Sequence, residues 1–563
     1  MMNGHIERIG QRWRDILCAL AIVAMVAHNH YNVRATRDVG ADDEAWYVAS
    51  GVLFGKPGFP NGPDGWPIPE QGALHCLSYF GLSKLHEAPL ELYYASWQLR
   101  TTLIALAIFV LVRRARCPWW QALVASFAFV NCAIADVWPF PVHTAALVVL
   151  FGLVGASFAR TTTAVLGIAT ATLAFAGFCR PELLYAYGVA VTVFVIHLIR
   201  EATRDAGTRP TRRWGTTIAW IVAAIAPGAA LGMLLGNPLG GTRAYFAFAQ
   251  HYTLALFEKQ GNPLDPWANW GPTVARDFPG ASTVFQALRA NPTAFFEHVM
   301  RNVSRLPENT MRATRPLLDV SKFVEHLLWA GAIGISIVQG VRIVRARTTN
   351  PTRTALTFAF FCGLVPFVLA VLIVHPRLHY YVLVIIVGMT LVASHPLPPL
   401  PRVVAVPKGA RMAAVFVTCL LAVALTATKS EAASFVEWVT RRPRKHELFG
   451  DRQRVSTRLR ELNLQRRVVT LEYAWGTCFY AGYECESYLR WDKLLPFDRF
   501  VAQKNIDLVI LDEGILKDVR FIDDDEFADF LVHPERHGFV LDRVPGTTVR
   551  IGIRIDRMSS AAR

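Results

Sequence analysis

The feature that most constrains this chain is a series of apolar stretches with almost no charge, at 16–27, 101–112, 143–158, 217–235, 355–374 and 412–427. Arginine and lysine crowd between them. A bilayer core of about 30 Å needs roughly 20 mainly apolar residues per helix, and these stretches approach that length with their flanks. The composition agrees: 53% of the 563 residues are hydrophobic and only 18% are charged. A typical globular chain carries roughly 25% charged residues. The net charge of +15 could suggest nucleic acid. The basic residues lie at the ends of apolar segments, however, which is the positive-inside pattern of a membrane protein and argues against a nucleic-acid partner.

Read in order, the chain predicts an α-helical polytopic membrane protein. Arg8, Arg12 and Arg14 precede an apolar run at 16–28 with no small-residue cleavage site after it, which reads as a first span with its N-terminus inside. Residues 32–90 form a long outer loop rich in Pro and Gly. Spans are expected near 93–112, 118–135, 142–159, 163–179, 182–199 and 215–235. A second long outer loop covers 236–322, and further spans follow near 323–344, 354–374, 378–394 and 412–428. Every basic cluster then falls on one side, while the short outer tips hold only Arg180 and Arg377. That makes about eleven spans in a domain from 1 to 428. Location in a bacterial cytoplasmic membrane is the expectation.

Residues 429–563 lack a spanning segment and are expected outside, as a small α/β domain. Runs at 467–473 and 506–511 look like buried strands, a helix-prone segment covers 451–462, and a β-rich end at 538–555 turns at Pro545-Gly546. Asp523-Asp524-Asp525-Glu526 lacks the spacing of a calcium loop and reads as a solvated helix start. Cys18, Cys117, Cys132, Cys362 and Cys419 fall in or beside apolar segments as small hydrophobes. Cys478 and Cys485 form either a disulfide or two free thiols.

The first outer loop carries the sharpest chemical signal, Asp42-Asp43-Glu44, immediately before an amphipathic segment. Acids at a helix start suit the helix dipole, so capping alone explains them, and capping is compatible with catalysis. The pattern Asp43-Glu44-x-x-Tyr47-x-Ala49, followed by Gly55, resembles the first-loop signature of the GT-C superfamily of polyprenyl-phosphate-dependent glycosyltransferases. Protein O-mannosyltransferases and the aminoarabinose transferases of lipid A belong to that superfamily. The resemblance extends over roughly residues 10–390 in layout, and implies a GT-C-like membrane domain with a variable outer C-terminal domain. It singles out Asp43 among the acids.

The same resemblance implies roles elsewhere. Glu70, in Ile68-Pro69-Glu70-Gln71-Gly72, matches a Pro-rich element whose charged residue faces the site. Asp136 matches a second acid at an outer tip, and Arg180, in Arg180-Pro181-Glu182, a basic residue at the next tip. His375-Pro376-Arg377-Leu378-His379-Tyr380-Tyr381 resembles an Arg-Tyr segment of the superfamily, departing from it by Leu-His between Arg377 and Tyr380. Each residue also has a plainer reading. Asp136 could mark a solvated tip, Arg180 and Arg377 could reach lipid phosphates, and His143, His375 and His379 could be interfacial.

A lipid-linked sugar phosphate keeps its tail in the bilayer and its anomeric carbon at the surface. Transfer to a hydroxyl needs a base, for which Asp43 is the first choice with Asp42 and Glu44 beside it. It also needs cations for the departing lipid phosphate: Arg377 and Arg180, with His375, His379 and Tyr380 in the same segments. Glu70, Asp136, Tyr47 and His143 are the substrate-binding candidates. The resemblance implies inversion at the anomeric centre. It leaves open a divalent cation, Mg2+ or Mn2+, for which Asp43 and Asp136 would be the ligands. The acceptor is a lipid, a glycan or a protein. Two other readings compete: an O-antigen polymerase or ligase, and a lipid-linked glycan flippase or transporter. Aromatic and Pro residues at 236–322, among them Tyr245, His251, Tyr252, Trp267 and Trp270, suit a membrane interface or a sugar or lipid platform.

Overall fold

The computed structural model describes residues 2–36, 38–58, 61–86, 88–135, 140–204, 210–262, 264–314, 350–395, 451–464 and 467–557. The spans expected near 323–344 and 412–428, and Asp136, lie outside the described residues. The helices in chain order are α1 (Met2–Thr36), α2 (Asp43–Val52), α3 (Ala73–Ser83), α4 (Pro89–Arg114), α5 (Trp119–Val130), α6 (Pro141–Ala156), α7 (Thr162–Cys179) and α8 (Leu183–Arg204). Then follow α9 (Pro210–Leu235), α10 (Arg243–Gln260), α11 (Pro266–Asp277), α12 (Val284–Ala290), α13 (Pro292–Thr314), α14 (Pro351–Leu369) and α15 (Leu378–Ala393). Among the described residues, α4, α7, α8, α9 and the stretch Pro351–Val374 are long and apolar enough to cross a membrane. Helices α5, α6 and α15 are apolar but shorter. The expected span near 118–135 is a helix only over Trp119–Val130, because the chain turns at Asn131 into a 3-10 turn at Ala133–Ala135.

The described chain divides into two compact units. The first comprises 1–29, 68–75 and 98–441; the second comprises 30–67, 76–97 and 442–563. Most of the first outer loop thus groups with the C-terminal domain.

In the first unit, α6 and α7 are joined by a tight turn and packed on α8, α14 and α15. Small residues let them approach: a Cβ at Gly152 of α6 would stand 2.0 Å from Oγ1 of Thr172 on α7. Such close packing of small residues is how helices associate where lipid removes the hydrophobic contrast. The core runs through Ile104, Phe129, Leu150, Leu173, Phe194 and Val382. Pro351–Val374 ends in a π-turn, Ala370–Val374, just before His375.

The second unit is built on a five-stranded sheet of β1 (Arg467–Glu472), β2 (Glu484–Leu489), β3 (Leu508–Leu511), β4 (Phe539–Arg543) and β5 (Arg550–Arg554) in the order β2-β1-β3-β5-β4. The pairs β1–β2 and β1–β3 are parallel, and β3–β5 and β4–β5 antiparallel. All four residues of β3 are buried, as expected of a strand covered on both faces. Leu508 and Ile510 join one core with Val455, Leu459 and Ile551, while Val509 and Leu511 join another with Phe497, Phe500, Phe527 and Phe530. The period-2 alternation of a strand sorts them. The expected helix at 451–462 is α16 (Asp451–Glu461). Of the two alternatives for Cys478 and Cys485, the structure holds the disulfide, with Cα atoms 6.1 Å apart. It ties the short helix α17 (Thr477–Tyr480) to β2.

Candidate active site

Two arginines of the first unit, Arg180 and Arg377, lie at the segment 375–380. A π-turn misaligns carbonyls that an α-helix would pair, and α13 supplies partners for them. His298 donates from Nε2 to the carbonyls of Ile373 and Val374, both at 3.1 Å, and Asn302 donates from Nδ2 to that of Leu372 at 2.8 Å. This support fixes the exit of the chain into His375, Pro376 and Arg377. Single-turn π segments recur at functional positions for this geometric reason.

Two groups of side chains flank that exit. In one, the ring of His375 stacks on His251 of α10, with centroids 5.2 Å apart and planes 8° from parallel. His251 meets Trp267 edge-on at 5.3 Å, and the Arg377 guanidinium lies 5.2 Å from the Trp267 ring centre. Among the described residues the Arg377 guanidinium makes no hydrogen bond, and Nδ1 of His251, His298 and His375 has no partner. Burial, then the nearby charge of Arg377, pushes His375 down to about 4 and His251 well below its ordinary value. These rings are therefore neutral at physiological pH, and the positive charge there belongs to Arg377.

In the other group, Arg180 pairs with Glu182 at 2.8 Å and lies 5.5 Å from the ring centre of Tyr380. Tyr380 packs on His379 at 4.2 Å, and His379 stacks on Phe140 at 4.5 Å. His143 is buried and bonds the Ile134 carbonyl at 3.1 Å. Its neighbour Thr144 bonds Nδ1 of His75 at 2.8 Å. Arg180, Glu182, Tyr380 and Val142 line a small cavity with Pro366 and Phe367. The ends of α6, α7, α14 and α15 thus bring Arg180, His379, Tyr380 and His143 together, with Arg377 and His375 on the same short segment. The carboxyl of Glu70 lies against Gly241, where a Cβ would overlap it.

The acids belong to the second unit. Asp43 and Glu44 form the first turn of α2, and Asp42 precedes it. Asp42 makes two bonds with one residue: its N–H donates to the Trp475 carbonyl and its Oδ1 accepts from the Trp475 N–H, each at 2.9 Å. Burial raises the Asp42 carboxyl, against that N–H and the charge of Arg452. Tyr47 is fully buried in a core shared with Tyr93, Trp97 and Tyr480, so it packs rather than lines a surface. Among the described residues no three His, Cys, Asp or Glu side chains form a metal-holding cluster.

The residues that sequence reasoning left in a general aromatic loop are His251 and Trp267; it did not name His298 and Asn302. The spacing of His298 and Asn302 on one helix face, four apart, was the only signal available.

No family model matches the chain, and no curated protein matches it. Among solved structures it is similar to the apo crystal structure of ArnT from Cupriavidus metallidurans. The alignment covers 98% of this chain and 99% of that one, at 12% identity and a TM-score of 0.37.

Proposed function

We propose that this chain is an inverting glycosyltransferase that moves a sugar from a polyprenyl-phosphate donor to an acceptor hydroxyl at the outer face of a cytoplasmic membrane. The observation that carries the reading is the set of polar groups at the ends of apolar, membrane-length helices: Arg377 held on Trp267, Arg180 on Tyr380, and neutral histidines around them. An amphiphile whose phosphate emerges among such helices meets two planar guanidinium groups suited to its oxygens. The first-loop pattern Asp43-Glu44-x-x-Tyr47 supports the same chemistry.

In the proposed step Asp43 takes the proton of the acceptor hydroxyl, the hydroxyl oxygen attacks the anomeric carbon opposite the phosphate, and the C–O bond to the phosphate breaks. The leaving phosphate carries the electron pair onto oxygens stabilised by Arg377 and Arg180. No metal is assigned to any step. The polymerase, ligase and transporter readings have no observation of their own in their favour.

The test is transfer from radiolabelled polyprenyl-phosphate sugars by the purified chain in detergent, comparing wild type with Asp43→Asn. Loss of a general base costs roughly 10²–10⁴ in rate, and Asp43→Asn is expected in that range. Equal transfer by both proteins removes Asp43 as the base. No transfer with any donor removes the function.

A further inference from the structure

We propose that the C-terminal sheet domain is what holds the first-loop acids in position, by taking the segment 38–42 into the crevice at the carboxyl ends of β1 and β3. On this assignment Asp42 and Asp38 are positioning residues and Asp43 alone works on the substrate. The inference rests on the glycosyltransferase reading only for what Asp43 does.

Sheet topology identifies the crevice. β1 is flanked by β2 on one side and β3 on the other, both parallel to it, so the connections leaving β1 and β3 run to opposite sides. In open α/β sheets that reversal opens a crevice beyond the carboxyl ends of the two strands, where such domains hold their ligands. Here the residues beyond β1 are Tyr473, Ala474, Trp475 and Gly476, and the residue beyond β3 is Asp512. What this crevice engages is a segment of the chain's own first loop.

The engagement has three parts, all within the second unit. Asp38 sits at the N-terminus of α16, where its carboxylate accepts from the N–H groups of Arg452 at 3.0 Å and Gln453 at 2.9 Å. Those are amides a helix start leaves without intrahelical partners. The Arg452 guanidinium returns a bond to the Val39 carbonyl at 3.0 Å. Asp42 then makes its reciprocal pair with Trp475. Finally, the turn after β1 meets α2 itself: Trp46 packs edge-on against Trp475 at 6.2 Å, and a Cβ on Gly476 would stand 2.7 Å from that of Ala45.

The backbone shows that Asp42 is held rather than relaxed. Its φ of 49° and ψ of −115° lie where glycine is comfortable and other residues are strained. A residue persists in such a conformation when its surroundings over-determine it. The bond from Trp475 to Oδ1 is a reason for aspartate, rather than glycine, at this position. Asp42 also begins α2, since its carbonyl accepts from the Trp46 N–H at 2.9 Å. The direction in which Asp43 and Glu44 leave the backbone is therefore set by the Asp42–Trp475 pair.

The experiment uses the full chain in detergent and reads amide hydrogen exchange over 43–52 together with transfer, in Asp42→Ala, Asp42→Asn and Asp43→Asn. Asp42→Ala is expected to speed exchange in α2 roughly tenfold, the order of effect of losing the one hydrogen bond that ties its first residue to Trp475, while β1 and β3 keep their protection. Its transfer rate falls with KM unchanged. Asp42→Asn keeps an oxygen for the Trp475 N–H at no added backbone cost relative to Asp, so it restores both readouts; Asp43→Asn leaves α2 protected and transfer lost. The inference is overturned by unchanged exchange in Asp42→Ala, or by an Asp42→Asn protein that is protected yet as inactive as Asp43→Asn. If wild type transfers no sugar from any donor, the function falls while the exchange comparison still decides the positioning. If Asp42→Ala loses β1 and β3 protection as well, Asp38→Ala takes its place. Faster exchange over 38–52 then supports the inference, and wild-type exchange there overturns it.

Discussion

The two ends of the helix bundle in the first unit use arginine in opposite ways. At one end, Arg113 bonds Asp15 and the Cys117 carbonyl, Arg114 bonds Ser157, and Arg353 bonds the carbonyls of Ser394 and Ala115. These guanidinium groups are consumed, Arg113 by the Asp15 carboxylate and a loop carbonyl and the others by groups at helix C-termini, where positive charge is also favoured by the helix dipole. At the other end, Arg377 and Arg180 lie over the faces of Trp267 and Tyr380. At Arg377 the ring face holds the guanidinium in place while leaving its N–H edges available for a planar acceptor, whereas Arg180 shares its guanidinium with Glu182. The first arrangement closes a structure, and the second prepares one for a ligand.

The comparison is broken most directly by removing one arginine from each end. Arg377→Ala is expected to lower transfer by roughly 10²–10³, the cost of losing one preorganised donor at developing charge, with thermal stability close to wild type. Arg353→Ala should do the reverse. It leaves two buried carbonyls short of a partner and lowers stability by about 1–3 kcal/mol, with turnover per folded molecule unchanged. Parallel melting curves and transfer rates check both, and a stability loss equal in the two variants would erase the distinction.

The second prediction sets the histidines of the ligand end against one in the sheet domain. His298 and His375 are each pushed from 6.5 to about 4, by burial first and, at His375, by Arg377 as well. Their folded pKa is depressed, so the unfolded chain binds protons that the folded chain refuses. Stability of this region is full above about 6.5 and falls as pH drops toward 4, by about 1–2 kcal/mol per histidine after solvent screening. His537 has the opposite sign. Burial pulls it down, but hydrogen bonds to Asp498 and Asp529 outweigh that and raise it above 6.5. Its contribution is full below 6.5 and is lost as pH rises through the raised value, weakly because both carboxylates are half exposed. Hydrogen exchange at pH 5 and pH 8 should therefore move protection in α13 and in β4 in opposite directions.

How much of this was legible in the sequence depends on whether the cause was local. The apolar runs predicted α4, α6, α7, α9, α14 and α15 because composition alone decides whether a segment enters lipid. In the sheet domain, the expected strands at 467–473 and 506–511 match β1 and β3, the turn at Pro545-Gly546 joins β4 to β5, and Asp524 caps the helix Asp525–Val532. The cap is readable because an aspartate side chain and the amide it accepts from lie three residues apart. The π-turn was not readable, since its support comes from His298 and Asn302, some seventy residues upstream. Nor was the role of Asp42: its neighbour Asp43 looks the same in sequence, and only the partner at Trp475, more than four hundred residues away, separates them.

The smallest expected effect tests what the ring under Arg377 contributes. If Trp267 only fills space, Trp267→Leu should alter stability and leave donor affinity alone. If it orients the guanidinium, the leucine protein keeps the arginine but lets it wander, so the donor binds less well before chemistry begins. A cation–π contact at a partly exposed site is worth about 0.5–1 kcal/mol, which is roughly a two- to fivefold rise in KM for the donor. Turnover at saturating donor should not change, because a bound phosphate fixes the guanidinium by itself. Trp267→Phe retains a ring face, weaker than that of Trp, and is expected between the two. A KM ordered Trp, Phe, Leu at constant kcat marks orientation. A kcat that falls in step with KM would mean that Trp267 touches the reacting sugar, and that the ligand end is built from α11 as much as from the segment 375–380.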